Sequence, residues 1–311
     1  MTRLRTIGVG PLLLMLSAFS TLAANYSLQI SDLTWMGSPG GYDCFTSAAY
    51  PNTVNFTITK TASGRKDYAV TAGPSANTGT YTRQLRSGGN VLNYQLYTTS
   101  GLNYALKEPP TAIVNEVLSG SVPGLGGQVI PLSFVFFIPP GQVVPPGTYT
   151  DQVNISIYDA YNTVGSPQAT RTITIRAAVV AGAAMSIVPS GAPFNSSRPQ
   201  YTLNFGQLTT GQQQACDILI KQNNNCTLFY SSANSGVLKQ VPTPTTDQIP
   251  YTCQVAGSLL DLTQAGSISL PSGISAGPDG SRYPVNITIG NVANATAGTY
   301  EDQITITVQA Q

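Results

Sequence analysis

The sequence predicts an all-β protein of two antiparallel β-sandwich domains, the second short of its closing strand. Three observations carry this. Short runs of β-branched and aromatic residues alternate with polar ones at a period of two, bounded by Gly, Pro, Asn and Ser, while helical periodicity is scarce. One strand motif occurs twice: Gly147-Thr148-Tyr149-Thr150-Asp151-Gln152-Val153-Asn154-Ile155-Ser156-Ile157-Tyr158 matches Gly298-Thr299-Tyr300-Glu301-Asp302-Gln303-Ile304-Thr305-Ile306-Thr307-Val308-Gln309. After the first copy another strand follows, Thr170 to Val179, whereas Ala310 and Gln311 alone follow the second. A sandwich without an edge strand exposes unpaired backbone and an open apolar groove, which is the form of edge that receives a strand from a partner.

The elements follow in order. Arg3 and Arg5, the apolar stretch from Ile7 to Phe19 and the small residues of Thr21-Leu22-Ala23-Ala24 read as a secretory signal peptide over residues 1–24, cleaved after Ala23 or Ala24. The apolar run is shorter than the ~20 residues a spanning helix needs, so the expected mature chain is exported and soluble. Strands are expected near Tyr26–Trp35, Thr53–Thr59, Tyr68–Thr71, Tyr81–Leu85, Leu92–Tyr97, Val129–Ile138, Tyr149–Tyr158 and Thr170–Ala177. Val153, Ile155 and Ile157 share one face, with Asn154, Ser156 and Tyr158 on the other. Seven or eight such strands suit an immunoglobulin-like sandwich. Small apolar residues from Ala177 to Ala184 join the halves, which places the two domains at 25–178 and 179–311, end to end. The second half repeats the pattern near Ser186–Val188, Tyr201–Phe205, Cys216–Ile220, Thr227–Ser231, Tyr251–Val255, Ser267–Leu270, Tyr283–Ile289 and Tyr300–Val308.

Composition excludes several function classes. Charged residues are 9% of the chain and the net charge is +1, against an average near ~25% charged. No basic patch exists to hold phosphate backbones, so nucleic acid is not an expected partner. The chain contains no histidine, which removes the usual base of serine and cysteine nucleophiles. With no His and no C-x-x-C spacing a metal site is not expected, and no glycine-rich phosphate loop precedes a helix, so no cofactor is expected either. The acidic residues form no evident cluster, and the equivalent places of Asp151 and Asp302 in the two repeats favour a structural role at a strand start over catalysis. The protein is read as a non-enzyme. Cys44, Cys216, Cys226 and Cys253 are an even set, and in an exported chain they predict disulfides, with at least one bond within the second half and the connectivity open.

Several residues together resemble a known family. Phe205-Gly206-Gln207-Leu208-Thr209-Thr210-Gly211, Ser232-Ala233-Asn234-Ser235-Gly236-Val237-Leu238, Ile249-Pro250-Tyr251 and Ala297-Gly298-Thr299-Tyr300-Glu301-Asp302 look like a spore coat protein U domain. Arg83-Gln84-Leu85, Leu92-Asn93-Tyr94-Gln95-Leu96-Tyr97 and Gly141-Gln142 to Asp151 carry a similar signature in the first half. Proteins with this domain are subunits of archaic chaperone–usher pili of the Csu type, and their two-domain member is the tip adhesin. The resemblance implies an N-terminal adhesin domain and a C-terminal pilin domain that accepts a donor strand along Ile304, Ile306 and Val308. It further implies a periplasmic chaperone, the adjacent pilin subunit and the outer-membrane usher as partners. Export through the periplasm would place the chain at the pilus tip, attached to an abiotic or host surface and promoting biofilm. The chain departs from the simple pattern in its long insertion between Tyr97 and Val129 and in its extra cysteines.

Topology indicates the free end of the first domain. Its last strand must run toward the linker, so the Asp159–Pro167 loop, the Thr61–Lys66 turn and the connection into the Val129 strand should share the opposite, distal pole. Val122, Leu125, Ala160, Tyr161 and Val164 are then the expected surface-binding side chains, with Leu102, Tyr104 and Leu106 of the insertion as weaker candidates. The proline-rich stretch Ile138 to Gly147 reads as a scaffold turn because it precedes the shared block. Two other readings stay open. A structural shaft or coat subunit would need a spare N-terminal strand, yet Ala24–Trp35 is required as the first domain's own. A secreted carbohydrate-binding adhesin would show aromatic platforms, yet Trp35 is the single tryptophan.

Overall fold

The structure is a computed structural model that describes residues 24–35, 40–46, 48–160, 165–198, 200–241, 246–271, 273–275 and 277–311. The signal-peptide reading lies outside these residues apart from Ala24. The described chain is all-β, with one helical turn, a 3-10 turn at Val114–Glu116. The strands of the first half are β1 (Tyr26–Gln29), β2 (Leu33–Thr34), β3 (Asn52–Lys60), β4 (Lys66–Ala72), β5 (Arg83–Ser87), β6 (Asn90–Tyr97), β7 (Leu118–Val122), β8 (Gln128–Phe137), β9 (Gly147–Tyr158) and β10 (Ala169–Val179). One layer runs β1–β3–β8–β6. The other runs β7–β4–β9–β10–β2, and β5 bridges the layers by pairing with β6 and with the start of β9. All pairs are antiparallel except β10 with β2.

The alternation that predicted β9 is what buries it. Tyr149, Asp151, Val153, Ile155 and Ile157 all point inward with at most 3% exposure. Ladders to β4 on one side and β10 on the other leave no edge. From β10 the residues Ile173, Ile175, Ala177 and Val179 close the same core at 4% exposure or less. The insertion between β6 and β8 is held by Arg83, itself 1% exposed. Its guanidinium donates to the carbonyls of Ala72, Gly73 and Leu106 at 3.0, 2.7 and 2.8 Å.

The second half comprises β11 (Ala183–Pro189), β12 (Gln213–Gln222), β13 (Cys226–Ser232), β14 (Val237–Val241), β15 (Gln248–Val255), β16 (Ser258–Leu259), β17 (Gly266–Ser269), β18 (Ser281–Ile289), β19 (Thr299–Glu301) and β20 (Ile304–Ala310). One layer runs β11–β12–β18–β15, the opposite layer β17–β13–β20, and β14–β19 forms the corner beside β15. Strand by strand this repeats the first sandwich: β12 stands for β3, β13 for β4, β14 for β5, β15 for β6, β17 for β7, β18 for β8, and β19 with β20 for β9. Among the described residues nothing stands for β10. Among the described residues the two immunoglobulin-like sandwiches therefore differ by one strand, β10.

Several expected elements differ. Tyr201–Phe205 makes no ladder, although Leu203 and Phe205 pack on the second core. In the first sandwich the corresponding connection pairs with β10: Trp35 N donates to Arg176 O at 2.8 Å and Tyr42 N to Ala178 O at 2.7 Å. Among its described residues the second has no such strand to pair with. The Tyr300–Val308 segment breaks at Asp302-Gln303, and Tyr26–Trp35 forms two short pieces. β7 was hidden by its interior glycine. Gly120 is needed there because the Tyr68 ring crosses it, and a Cβ would lie 2.6 Å from the phenol oxygen.

The cysteines are a correction. All four are free and buried. Cys216 on β12 is level with Val285 and Cys253 on β15 with Ile287, so β18 stands between them. Two strand spacings, about 9.5 Å, exceed the ~7 Å that a disulfide spans. Cys226 lies in the opposite layer and Cys44 in the first sandwich. Burial pushes the Cys216 thiol up to about 11 and the Cys253 thiol up to about 12. Burial likewise pushes Tyr26 and Tyr42 up to about 12. Each raised group stabilises the fold fully below its unfolded pKa and ceases to do so as pH climbs through its folded one. Both sandwiches should therefore begin to weaken near pH ~9, where unfolded thiols titrate, the first through Cys44 and the second through Cys216 and Cys253, and buried tyrosines add to the loss from pH ~10. Urea midpoints followed by thiolate absorbance and by Trp35 fluorescence check this, since a bridged cysteine pair would show no early onset.

Candidate functional site

The open edge of β20 is the first candidate site. Ile304, Ile306, Val308 and Ala310 face the second core and pack on it, yet all remain half-exposed, where their counterparts Val153, Ile155 and Ile157 are at 0–1%. Among the described residues β20 pairs with β13 alone. Across its free edge stands β11, whose nearest Cα atoms come within 8 Å without forming a ladder. Met185 and Ile187 of β11, and Leu203 and Phe205 beyond it, are half-buried apolar residues on the same core. The second core thus carries as many partly exposed apolar side chains as fully buried ones, unlike the first.

The duplicated G-T-Y-x-D-Q block is a staple. Tyr149 donates to Pro145 O at 2.8 Å, and Tyr300 to Thr296 O at 3.0 Å, fixing the preceding loop four residues back in each sandwich. Asp151 accepts from Asn77 N at 3.2 Å, Gln152 N at 2.8 Å and the Tyr94 hydroxyl at 2.7 Å. Asp302 accepts from Asn234 N at 2.9 Å, Gln303 N at 2.8 Å and the Tyr251 hydroxyl at 2.5 Å. Burial first, then the adjoining carboxylate, pushes both phenols above the ordinary tyrosine range. The aspartates hold turns. The proline-rich stretch before the first block is scaffold too: Tyr42 donates to Pro139 O at 2.8 Å and Val144 packs on the core.

The second candidate site is the distal end of the first sandwich. Thr61 N donates to Asn25 O at 2.8 Å, and Asn25 Nδ2 to Asp159 Oδ1 at 3.1 Å, which brings the Thr61–Lys66 turn, the start of β1 and the loop after β9 together. Lys60, fully buried, donates to Pro123 O at 3.1 Å and Gly124 O at 2.7 Å and so fixes the loop between β7 and β8. A Cβ on Gly126 would lie 2.3 Å from Thr61 O, so this loop also depends on a bare backbone. Leu125, at its tip, is 76% exposed, and Val129 beside it 61%. Ala160 is half-buried. Tyr161 and Val164 lie outside the described residues. Val122 is corrected: it ends β7, pairs with Lys66 and is buried in the core. Leu106 is corrected likewise, at 1% exposure. Leu102, half-buried, and Tyr104, 40% exposed, are not brought to this end. Their loop leaves β6 at the level of Val135, seven residues or ~23 Å along β8 from Gln128. Val129 and Lys60 were missed by sequence reasoning. Trp35 is 4% exposed and stacked edge-on to Tyr42 at 5.6 Å, so it offers no platform for a sugar.

The described residues define a β protein of two sandwiches, the second with an edge strand, β20, that carries one ladder. Residues 40–156, within the first sandwich, match the family model of the Spore Coat Protein U domain. The second-half motifs lie outside the match. Among solved structures the chain is similar to one from the CsuC–CsuE chaperone–tip adhesion subunit pre-assembly complex of archaic chaperone–usher Csu pili of Acinetobacter baumannii. The identity is 13%, with 91% of this chain and 100% of that one covered, at a TM-score of 0.44. The CupB6 tip adhesin of Pseudomonas aeruginosa is 8% identical over 92% of this chain and 94% of its own, TM-score 0.37. CfaE, the adhesive subunit of CFA/I fimbria of enterotoxigenic Escherichia coli, is 16% identical over 94% and 79%, TM-score 0.32. No curated protein matches the sequence.

Proposed function

We propose that the chain is the tip adhesin subunit of an archaic chaperone–usher pilus, exported through the periplasm and displayed at the pilus tip on the cell surface. In this reading residues 179–311 form the pilin domain and take a strand beside β20, from a periplasmic chaperone during transit through the usher and then from the adjacent pilin. The observation that carries it is one motif in two settings: β9 lies between two ladders, while β20 has one and leaves its apolar face half-exposed. An inserted strand needs about two strand spacings, ~9.6 Å, so β11 must move outward by a small distance. Among the described residues its one ladder is to β12. Amide hydrogen exchange on the free chain tests the reading. β20 should exchange far faster than β9 and become protected when a peptide copying Ala169–Val179 is added. Equal protection of β9 and β20 in the free chain would sink it.

The first domain in this reading attaches through the distal loops to an abiotic or host surface and promotes biofilm. Leu125 stands exposed on a loop fixed from beneath by a buried lysine. Burying each such side chain contributes on the order of 1.5–3 kcal/mol, and many tips on one cell multiply weak contacts. Leu125→Ser with Val129→Ser should reduce attachment to hydrophobic plastic about tenfold or more while pili still assemble. The parent's attachment should survive high salt, since screening weakens charge pairs and not apolar burial. Attachment unchanged in the double variant, or blocked by a simple sugar, would overturn this part.

A further inference from the structure

The turn joining β12 to β13 holds both the first sandwich and the end of the open edge strand. Asn223 is 2% exposed. Its Oδ1 accepts from Gly182 N at 2.8 Å. Its Nδ2 donates to Val180 O at 2.9 Å, Val144 O at 3.1 Å and Cys44 Sγ at 3.3 Å. Those partners lie on the three-residue connection between β10 and β11 and on two loops at the base of the first sandwich. The next residue, Asn224, donates from Nδ2 to Gln311 O. Asn225 O accepts from Gln311 N at 2.8 Å, and Gln311 Nε2 donates to Thr227 Oγ1 at 2.6 Å. Three consecutive residues thus fasten the joint between the sandwiches and Gln311, the residue that follows β20.

We infer that this turn couples the strand-accepting edge to the joint, so that seating a strand beside β20 stiffens the angle between the two sandwiches. The inference rests on the strand-accepting reading above and adds its consequence. A strand with one ladder frays from its end. Fraying of β20 frees Gln311, and with it the bonds that hold Asn224 and Asn225. Asn223 is their covalent neighbour, and its amide must keep a fixed plane to satisfy four partners at once. A second ladder on β20 removes the fraying, so ordering at the edge is passed to the joint without a change of fold.

The test uses the full mature chain with spin labels on Ser63→Cys and Ser258→Cys, both exposed positions, one in each sandwich. The native thiols are buried, and burial raises each of them, so they react slowly. Fusing a second copy of the β10 strand after Gln311 should roughly halve the width of the distance distribution. Asn223→Ala or Asn224→Ala in the fused chain should restore the width, while the rise in melting temperature on fusion is kept. A fused chain that melts higher but is no narrower overturns the coupling, as does a fused Asn224→Ala chain as narrow as its parent. If fusion fails to raise the melting temperature, the strand-accepting reading has failed instead. Asn224→Ala in the unfused chain then decides the coupling alone, by broadening the distribution or leaving it unchanged.

Discussion

A chain with a second copy of Thr170–Val179 fused by a short Gly–Ser linker after Gln311 is expected to melt its second sandwich at least about 15 °C above the unfused chain. The size of the effect comes from the first sandwich. There β10 inserts Ile173, Ile175 and Val179 at 0–4% exposure, with Ala177 between them. Burial of three large aliphatic side chains contributes roughly 5–9 kcal/mol, and for a domain of this size each kcal/mol moves the melting point by about 3–5 °C. The copied strand can run antiparallel to β20 as β10 runs to β9, so its start lies beside the end of β20 and a short linker suffices. A control copy shifted by one residue presents its polar face to the core and should stabilise little. Equal melting of the two fusions would show that added chain, not a seated strand, is responsible.

The second large effect is expected at the aspartate staples, and it should differ between the domains. Asp151 is 3% exposed and accepts three hydrogen bonds, so Asp151→Ala leaves the Tyr94 hydroxyl and two backbone N–H groups without their partner. Bonds to a charged acceptor contribute ~1.5–3 kcal/mol each, and stranded buried groups add to the loss, so a cost of about 4 kcal/mol is expected for the first sandwich. Asp302 makes the corresponding three bonds and a fourth from the Ser232 hydroxyl, at a half-exposed position. Water can replace part of what Asp302→Ala removes, and about 2 kcal/mol is expected. Fusing the strand should raise that second cost, because the site then becomes buried like its counterpart. Denaturation followed by Trp35 fluorescence reads the first domain selectively, since the chain's single tryptophan is buried there. Equal costs for the two variants in the unfused chain would contradict the half-exposed state of the second staple.

How far each feature was legible depended on how local its physics is. β3, β9 and β18 were readable because apolar and polar residues alternate along them, and the alternation itself decides which face is buried. β7 and Val122 were not. A valine before Pro123-Gly124 looks like the start of a loop, and only pairing with β4, about fifty positions earlier in the chain, turns it inward. Lys60 carries no sequence sign of its role. A lysine at a strand end is ordinarily solvated, and its burial depends on the carbonyls of Pro123 and Gly124 closing over it. The cysteine expectation failed for the same reason. An even count in an exported chain says that thiols could pair, whereas the strand order β12–β18–β15 decides that Cys216 and Cys253 stand too far apart.

By itself the sequence determined the all-β class, the duplication and the unequal ends of the two repeats, because period-two burial and a copied twelve-residue motif are properties of contiguous residues. The tertiary structure alone decided which apolar residues of the distal end face outward, which thiols can meet, and that Asn223 pins one sandwich to the other. Those outcomes depend on distances between segments far apart in the chain, and a distance across a sandwich is set by the ladder order of whole sheets rather than by any local pattern.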